Sequence, residues 1–314
     1  MRLDFIRGHM GGNTIILLQG DQIPAGKELE IAVKLLGPNY LCAHEAGILY
    51  PTGIDGQVKV KIVEPTLPCF ISACGGLTQV LGAALIETEL GSLFRVDKGN
   101  PCSEVALYTD GGLTLLEIEH ENSKTRLVKT NMKSCVKECY EHGVEKLFIA
   151  DLEVMRSGKF MVIDADIIKA TVPEADFVSW NQDAKELLKE LQSNFMTLTG
   201  EVEPNVTIFD WHPEHNGDLR AVYPHYIEDD FYEPSCGTGS VALGLALQAW
   251  GKLDSFKVEE SNIDFSLRLE TGGGRELGGP DLTTVELRSN LEKVSSAAFS
   301  HSRVEITAVG EARI

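Results

Sequence analysis

The sequence predicts a mixed α/β (α+β) chain of two halves built alike, each a sheet wrapped around one central helix. Three observations point there. Short β-like runs bounded by Gly, Pro or Asp recur along the whole chain. Two segments, Gly75–Leu90 and Gly237–Trp250, read as helices apolar on most faces, the pattern of a helix enclosed by protein. Those helices also open alike: Ala73–Leu85 (ACGGLTQVLGAAL) and Ser235–Leu247 (SCGTGSVALGLAL) share Cys, Gly, Leu, Gly, Ala and Leu at the same offsets from Cys74 and Cys236.

In chain order, Thr14–Leu18, Glu28–Leu35 and Gly56–Ile62 read as strands bounded by Gly, Pro or Asp. After Pro68–Cys74, the apolar positions Leu77, Val80, Leu81, Ala84 and Leu85 mark one helical face. Strands are expected at Leu113–Glu119 and Thr125–Thr130, a helix at Lys133–Glu141, and a strand at Lys146–Ile149. Gly158–Val172 reads as β and runs on to a helix around Asp183–Gln192. Strands at Val206–Trp211 and Asp218–Tyr223 lead through the acidic segment Glu228–Phe231 to the second apolar helix, and Phe265–Glu270, Thr283–Arg288 and Arg303–Ala308 close the chain as strands. The expected division is 1–150, with a strand at about 300–314 returning to it, and 151–300.

Of 314 residues, 43% are hydrophobic and 24% charged, which excludes disordered and low-complexity classes. Against 28 Lys and Arg stand 47 Asp and Glu, with no basic run, so nucleic acid and anionic membrane are poor partners. No apolar run reaches the roughly 18 residues of a membrane span. The start, MRLDFIRGHMGGN, has no secretory apolar core, so a cytoplasmic protein is expected. Seven cysteines at low density then read as reduced thiols.

The chemistry lies in the echo. A Cys-Gly turn opening a helix puts a thiol among unpaired backbone N–H groups, which bind anions and lower a thiol's pKa. Two such thiols facing one small carboxylate could remove a proton from one side of a carbon and deliver one to the other. The helix-terminal amides would hold the developing negative charge.

These motifs resemble the cofactor-independent racemase and epimerase superfamily of proline racemase and diaminopimelate epimerase. Cys236-Gly237-Thr238-Gly239 is the stronger match; Gly12-Asn13 before an apolar strand is similar to the epimerases' opening, and His9 with Gly12 to the racemases'. Gly75-Gly76-Leu77 departs from the families' Gly-Asn-Gly or Gly-His-Gly, and Tyr232-Glu233-Pro234-Ser235 matches neither branch. The resemblance implies a diaminopimelate epimerase-like fold of two pseudo-symmetric halves, each a barrel-like sheet around a central helix, with its site in a cleft between the halves. Cys74 and Cys236 would be the two bases, Gly75, Gly76, Gly237, Thr238 and Gly239 the carboxylate cradle, and Asn13 and His9 polar contacts. No cofactor and no metal are called for. The implied partner is an amino-acid substrate, and the implied protein a monomer or homodimer. Alternatives are a double-bond isomerase of a small di- or tricarboxylate using the same thiols, and a carboxylate-binding protein without turnover.

Other motifs read more plainly. Cys42, Cys69 and Cys102 are expected to be packing residues. Cys135 and Cys139, one turn apart on the expected helix, lack the second pair that a closed zinc site needs, though His212 and His215 could complete one from afar. Pro213 breaks the helix that the HxxH at His212–His215 would require. Glu228-Asp229-Asp230 is a solvated run or a contact for a cationic substrate group. The turn Gly272–Gly274 with Gly278 and Gly279 lacks the Lys-Ser/Thr of a phosphate loop.

Overall fold

In the computed structural model, which describes every residue except 66–67, 100, 142, 178–180, 203, 225–231, 254–263, 273–280 and 291–292, one unit comprises Met1–Cys135 with Ser300–Ile314, and the other Val136–Phe299. Glu228-Asp229-Asp230 and most of the glycine turn after Gly272 lie outside the described residues.

The first unit starts with β1 (Arg2–Met10) and β2 (Asn13–Gln19), a hairpin closed by Gly11-Gly12 with φ of 52° and 92°. A two-residue turn of this hand needs positive φ at both positions, which glycine adopts without strain. There follow α1 (Glu28–Leu36), β3 (Glu45–Pro51), β4 (Gln57–Glu64), β5 (Cys69–Ile71), α2 (Gly75–Glu87), α3 (Leu90–Leu93), β6 (Cys102–Thr109), β7 (Gly112–Glu121) and β8 (Lys124–Asn131). Glu28–Leu35 is thus a helix, not the expected strand. Parallel β2 and β3 need a crossover connection. The pairs Ile31/Ala32 and Leu35/Leu36, four residues apart, bury one helical face against Ile16, Leu18, Ile48 and Val63.

The second unit contains α4 (Lys137–Glu141), β9 (Val144–Ile149), β10 (Leu152–Ser157), β11 (Phe160–Asp164), α5 (Ala165–Thr171), α6 (Gln182–Thr199), β12 (Asn205–Asp210), β13 (Leu219–Pro224), β14 (Tyr232–Glu233), α7 (Gly237–Ala249), β15 (Phe265–Thr271), β16 (Asp281–Asn290) and most of β17 (Lys293–His301). The β reading of Gly158–Val172 ends at Asp164, whose carboxylate accepts the Asp166 N–H at 3.0 Å and caps α5. The helix expected at Lys133–Glu141 shrinks to α4, so Cys135 and Cys139 do not share one. The final strand, β18 (Val304–Arg313), pairs with β1 in the first unit.

The sequence echo is matched by an echo in topology. β1–β2 and β10–β11 are antiparallel, β2–β3 and β11–β12 parallel with helical crossovers, and β3–β4 and β12–β13 antiparallel. The short β5 and β14 turn back on β4 and β13, the apolar helix follows, and β6 and β15 return parallel to β4 and β13 before pairing antiparallel with β7 and β16. Within the first unit α2 packs against β1, β2, β3, β7, β8 and β18, and every residue from Gly75 to Ile86 is buried. Within the second, α7 packs against β9 to β12 and β16. No helix of the described residues is long and apolar enough to cross a membrane.

Candidate active site

Each enclosed helix begins at a cysteine. Cys74 has extended backbone (φ −146°, ψ 118°), and its sulfur accepts the Leu77 N–H at 3.2 Å. Cys236 does the same (φ −125°, ψ 112°), accepting the Gly239 N–H at 3.4 Å. Both thiols therefore act as side-chain N-caps, satisfying one of the N–H groups that a helix start leaves unpaired.

In the first unit the leading ends of β2 and β3 lie beside the start of α2, because their parallel register sets Ile15 opposite Glu45. Glu45 comes within 3.2 Å of the buried Cys74 thiol, which donates to its Oε2. Asn13 is buried against the first turn of α2: a methyl group at Gly76 would lie 3.2 Å from its Nδ2. Its Oδ1 is 3.2 Å from His44 Nδ1, which accepts the Thr14 N–H at 3.0 Å. Gly75 is fixed through its carbonyl, to which Thr78 Oγ1 donates at 2.7 Å, while Thr78 and Gln79 meet Thr130 of β8. His9 sits in the β1–β2 hairpin. Its Nδ1 accepts the Gly12 N–H at 3.5 Å and its Nε2 is 3.7 Å from Glu305. Burial lowers its pKa, against the pull of Glu305, and favours the neutral ring.

In the second unit Cys236 lies 3.4 Å from the Thr238 hydroxyl and three residues after Glu233. The lowered thiol pKa expected at a helix start is not what Cys236 has. Burial first, then the negative charge of Glu233, push it well above the usual thiol value, and the Thr238 hydroxyl and Gly239 N–H do not offset them. Gly237 and Gly239 are needed for packing whatever the helix start binds. A methyl group on Gly237 would collide with the Phe299 ring, and one on Gly239 would lie 2.9 Å from that of Tyr223. Sequence reasoning singled out the two cysteines, Asn13, His9, Thr238 and the glycines. It did not find Glu45, His44 or Glu233. Glu45 stands 29 residues before Cys74 and meets it only through the parallel pairing of β2 and β3.

The remaining candidates lie elsewhere. Cys139 is buried, donates to the Ser157 carbonyl at 3.3 Å, and is pushed up to about 11 by burial, so it is a packing thiol. Cys135 contacts the Thr114 hydroxyl at 3.4 Å. His212 Nδ1 is 3.0 Å from Asp210, and His215 Nδ1 is 3.9 Å from Glu270. Asp166, Asp210 and His212 form the one cluster of potential metal ligands among the described residues, and the Lys169 ammonium already sits 2.9 Å from Asp210.

No family profile and no curated protein matches the chain by sequence. Solved structures match over nearly its whole length. A methylitaconate-delta-isomerase is similar with a TM-score of 0.65 at 15% identity, covering 99% of this chain and 95% of its own. A hydroxyproline epimerase from Agrobacterium vitis, with bound trans-4-hydroxy-L-proline, has a TM-score of 0.67 at 14% identity, covering 99% and 91%. A probable proline racemase from Agrobacterium radiobacter, with bound carbonate, has a TM-score of 0.64 at 17% identity, covering 99% and 92%. The chain therefore has the diaminopimelate epimerase-like fold that the sequence resemblance implied.

Proposed function

We propose that the chain is an isomerase of carbon acids, a racemase or epimerase of an amino acid, in which Cys74 and Cys236 transfer the protons. The observation that carries this reading is the equivalence of the two cysteines. In two copies of one topology, the same position is a thiol that caps an enclosed helix. A protein needing only a carboxylate cradle has no use for a sulfur in both.

In this reading the substrate carboxylate is held by the N–H groups of Gly75, Gly76, Gly237 and Thr238, the helix-start positions left once Leu77 and Gly239 are spent on sulfur. One sulfur, as thiolate, takes the α-proton: the C–H bond breaks, an S–H bond forms, and the electron pair stays on carbon, spread into the carboxylate. The other thiol gives its proton to the opposite face, and the configuration inverts. The likeness to a hydroxyproline epimerase and a probable proline racemase supports an amino-acid substrate. The comparable likeness to a methylitaconate-delta-isomerase supports a second reading, in which the same thiols move a proton along an unsaturated carboxylate and shift its double bond.

The deciding experiment is proton NMR of the reduced protein in D2O with proline, hydroxyproline, diaminopimelate, glutamate, aspartate, lysine and histidine. Loss of one α-proton signal names the substrate and the reaction together. Silence across the panel, with allylic exchange in an unsaturated dicarboxylate, moves the assignment to the second reading. Silence in both sets removes the isomerase reading.

A further inference from the structure

We infer that the free edge of β18 is a docking site for an extended segment of a partner protein, recognised by an apolar and a basic residue two positions apart. The site lies within the first unit, at the opposite end of α2 from Cys74.

Among the described residues β18 has β1 as its one strand partner. A strand at a sheet edge offers a row of N–H and C=O groups to another chain. From Ala308 to Arg313 the pairing with β1 is regular, and a bulge at Thr307 ends that run. Successive side chains of a strand point to opposite faces. Val309, Glu311 and Arg313 therefore share one face with their β1 partners Ile6, Asp4 and Arg2, which makes an apolar, an acidic and a basic rung in order. The apolar rung opens on a cavity of about 580 Å³ between the sheet and α3, walled by Ile6, Leu17, Leu49, Leu90, Leu93 and Val309. Its inner walls are buried, but Val309 is 64% exposed and Leu93 44%, so its lip is apolar and open to water. Asp4, Glu89 and Glu311 line the same cavity. Asp4 accepts from Gln22 Nε2 at 2.8 Å, and Glu311 lies 3.5 Å from Arg2 and 3.8 Å from Arg313.

A cleft beside a free sheet edge suits an extended peptide: its backbone adds a strand, and alternate side chains enter the cleft. Laid along β18, the peptide residue opposite Val309 points into the cavity, and the residue two positions away lies at Glu311. The first is then apolar and the second basic, because three carboxylates line that cavity. The same spacing puts an acidic residue beside Arg313 and Arg2. A second copy of β18 does not carry this pattern, since its one cation, Arg313, stands two residues from Glu311 and not from an apolar residue. A small amphiphilic amine would fill the cavity and meet its carboxylates, but would leave the backbone row of β18 unused.

The test titrates two fluorescently labelled peptides with the full-length protein and follows their anisotropy. Glu-Thr-Lys-Thr-Leu-Thr-Lys-Thr-Glu offers the pattern in either strand direction. Lys-Thr-Glu-Thr-Leu-Thr-Glu-Thr-Lys has the same composition and net charge with the acidic and basic positions exchanged. The first should bind more tightly by about tenfold or more. Leu93→Asp and Glu311→Lys, both at exposed positions, should each weaken it by about tenfold or more with the thermal midpoint unchanged. Binding should also slow hydrogen exchange of amides within Ala308–Arg313 by about tenfold or more, because the added strand bonds them. No binding of either peptide, equal binding of both, or binding that leaves those amides unprotected overturns the proposal. Unprotected amides together with displacement by decylamine would give the cavity to small amphiphilic amines. A free protein that sediments as a dimer with those amides already protected would give the edge to a second copy, and overturns it too.

Discussion

Cys74 and Cys236 occupy one node of a strand order drawn twice: each follows a short strand that turns back on its predecessor, and each caps a 13-residue helix through its sulfur. A cap and a catalytic thiol make different demands, and serine separates them. Serine is itself a preferred N-cap. Cys74→Ser and Cys236→Ser should therefore fold with stability within about 0.5 kcal/mol of the parent. Their α-proton exchange should fall by about a hundredfold to ten-thousandfold, the range for loss of a positioned acid or base. Denaturant melts and D2O exchange on the same preparations check this, and turnover surviving either change would show that the sulfurs serve only as caps.

The glycine eight residues after each cysteine has a packing role of its own. A methyl group at Gly82 would lie 2.7 Å from Val128 Cγ1, and one at Gly244 would lie 3.1 Å from Val285 Cγ1. At both positions an enclosed helix packs tightly against a side chain of a strand. Alanine gains about 1 kcal/mol of helix propensity over glycine, but forcing a methyl group into a packed core costs about 1–3 kcal/mol. Gly82→Ala should therefore be destabilising and Gly244→Ala near neutral. Adding Val128→Ala should recover part of the Gly82→Ala loss, a coupling that a double-mutant cycle measures.

This repetition explains how much of the protein was legible in sequence. The enclosed helices could be read because burial on every side leaves an unbroken apolar run, and the cysteines because they recur before it. Glu28–Leu35 reads as a strand in sequence, where Leu29, Ile31, Val33 and Leu35 alternate, but it folds within the helix Glu28–Leu36, whose buried set is Ile31, Ala32, Leu35 and Leu36. What settles that segment is the parallel pairing of β2 with β3, a non-local fact that demands a crossover. Glu45 was illegible for the same reason. Its place beside Cys74 is made by strand register, and nothing in the local sequence signals it. Glu233 stood in view, three residues before Cys236, but its effect on the thiol's pKa accompanies the burial of that sulfur, which the local sequence does not show.

Glu270 holds the loop that carries the HxxH sequence. Its carboxylate, almost wholly buried, accepts the backbone N–H groups of Glu214 at 2.8 Å, His215 at 2.5 Å and Gly217 at 3.0 Å. Burial pushes its pKa up, but those three N–H groups and the His215 ring outweigh it, and the net direction is down. A carboxyl held below its unfolded value of about 4.3 adds stability above that pH and loses the contribution as pH falls through the lower folded value. Glu270→Gln should cost about 1–3 kcal/mol at neutral pH, the size of a hydrogen bond to a charged group. The gap should narrow on acidification below the carboxylate range. A gap that stays constant with pH would mean that the loop depends on the shape of the side chain and not on its charge.

His301 makes the opposite kind of acid sensitivity visible. It is buried, its Nδ1 lies 3.0 Å from both the Arg303 N–H and the Arg303 carbonyl, and burial, helped by the charges of His9 and Arg303 and opposed by the Arg303 backbone, pushes its pKa down to about 4. In the unfolded chain it titrates near 6.5. Between these values the unfolded chain binds the proton and the native protein does not, so stability should fall as pH drops from about 6.5 to about 4, by on the order of 3 kcal/mol, and level off below. His301→Asn keeps an acceptor for the Arg303 N–H and removes the titration. Its unfolding free energy should be flatter over the same interval, with the remaining slope carried by His9, whose pKa burial also lowers. Chemical denaturation at several pH values across that interval distinguishes the two proteins. Parallel curves would place His301 in contact with water and remove it as the source of the acid sensitivity.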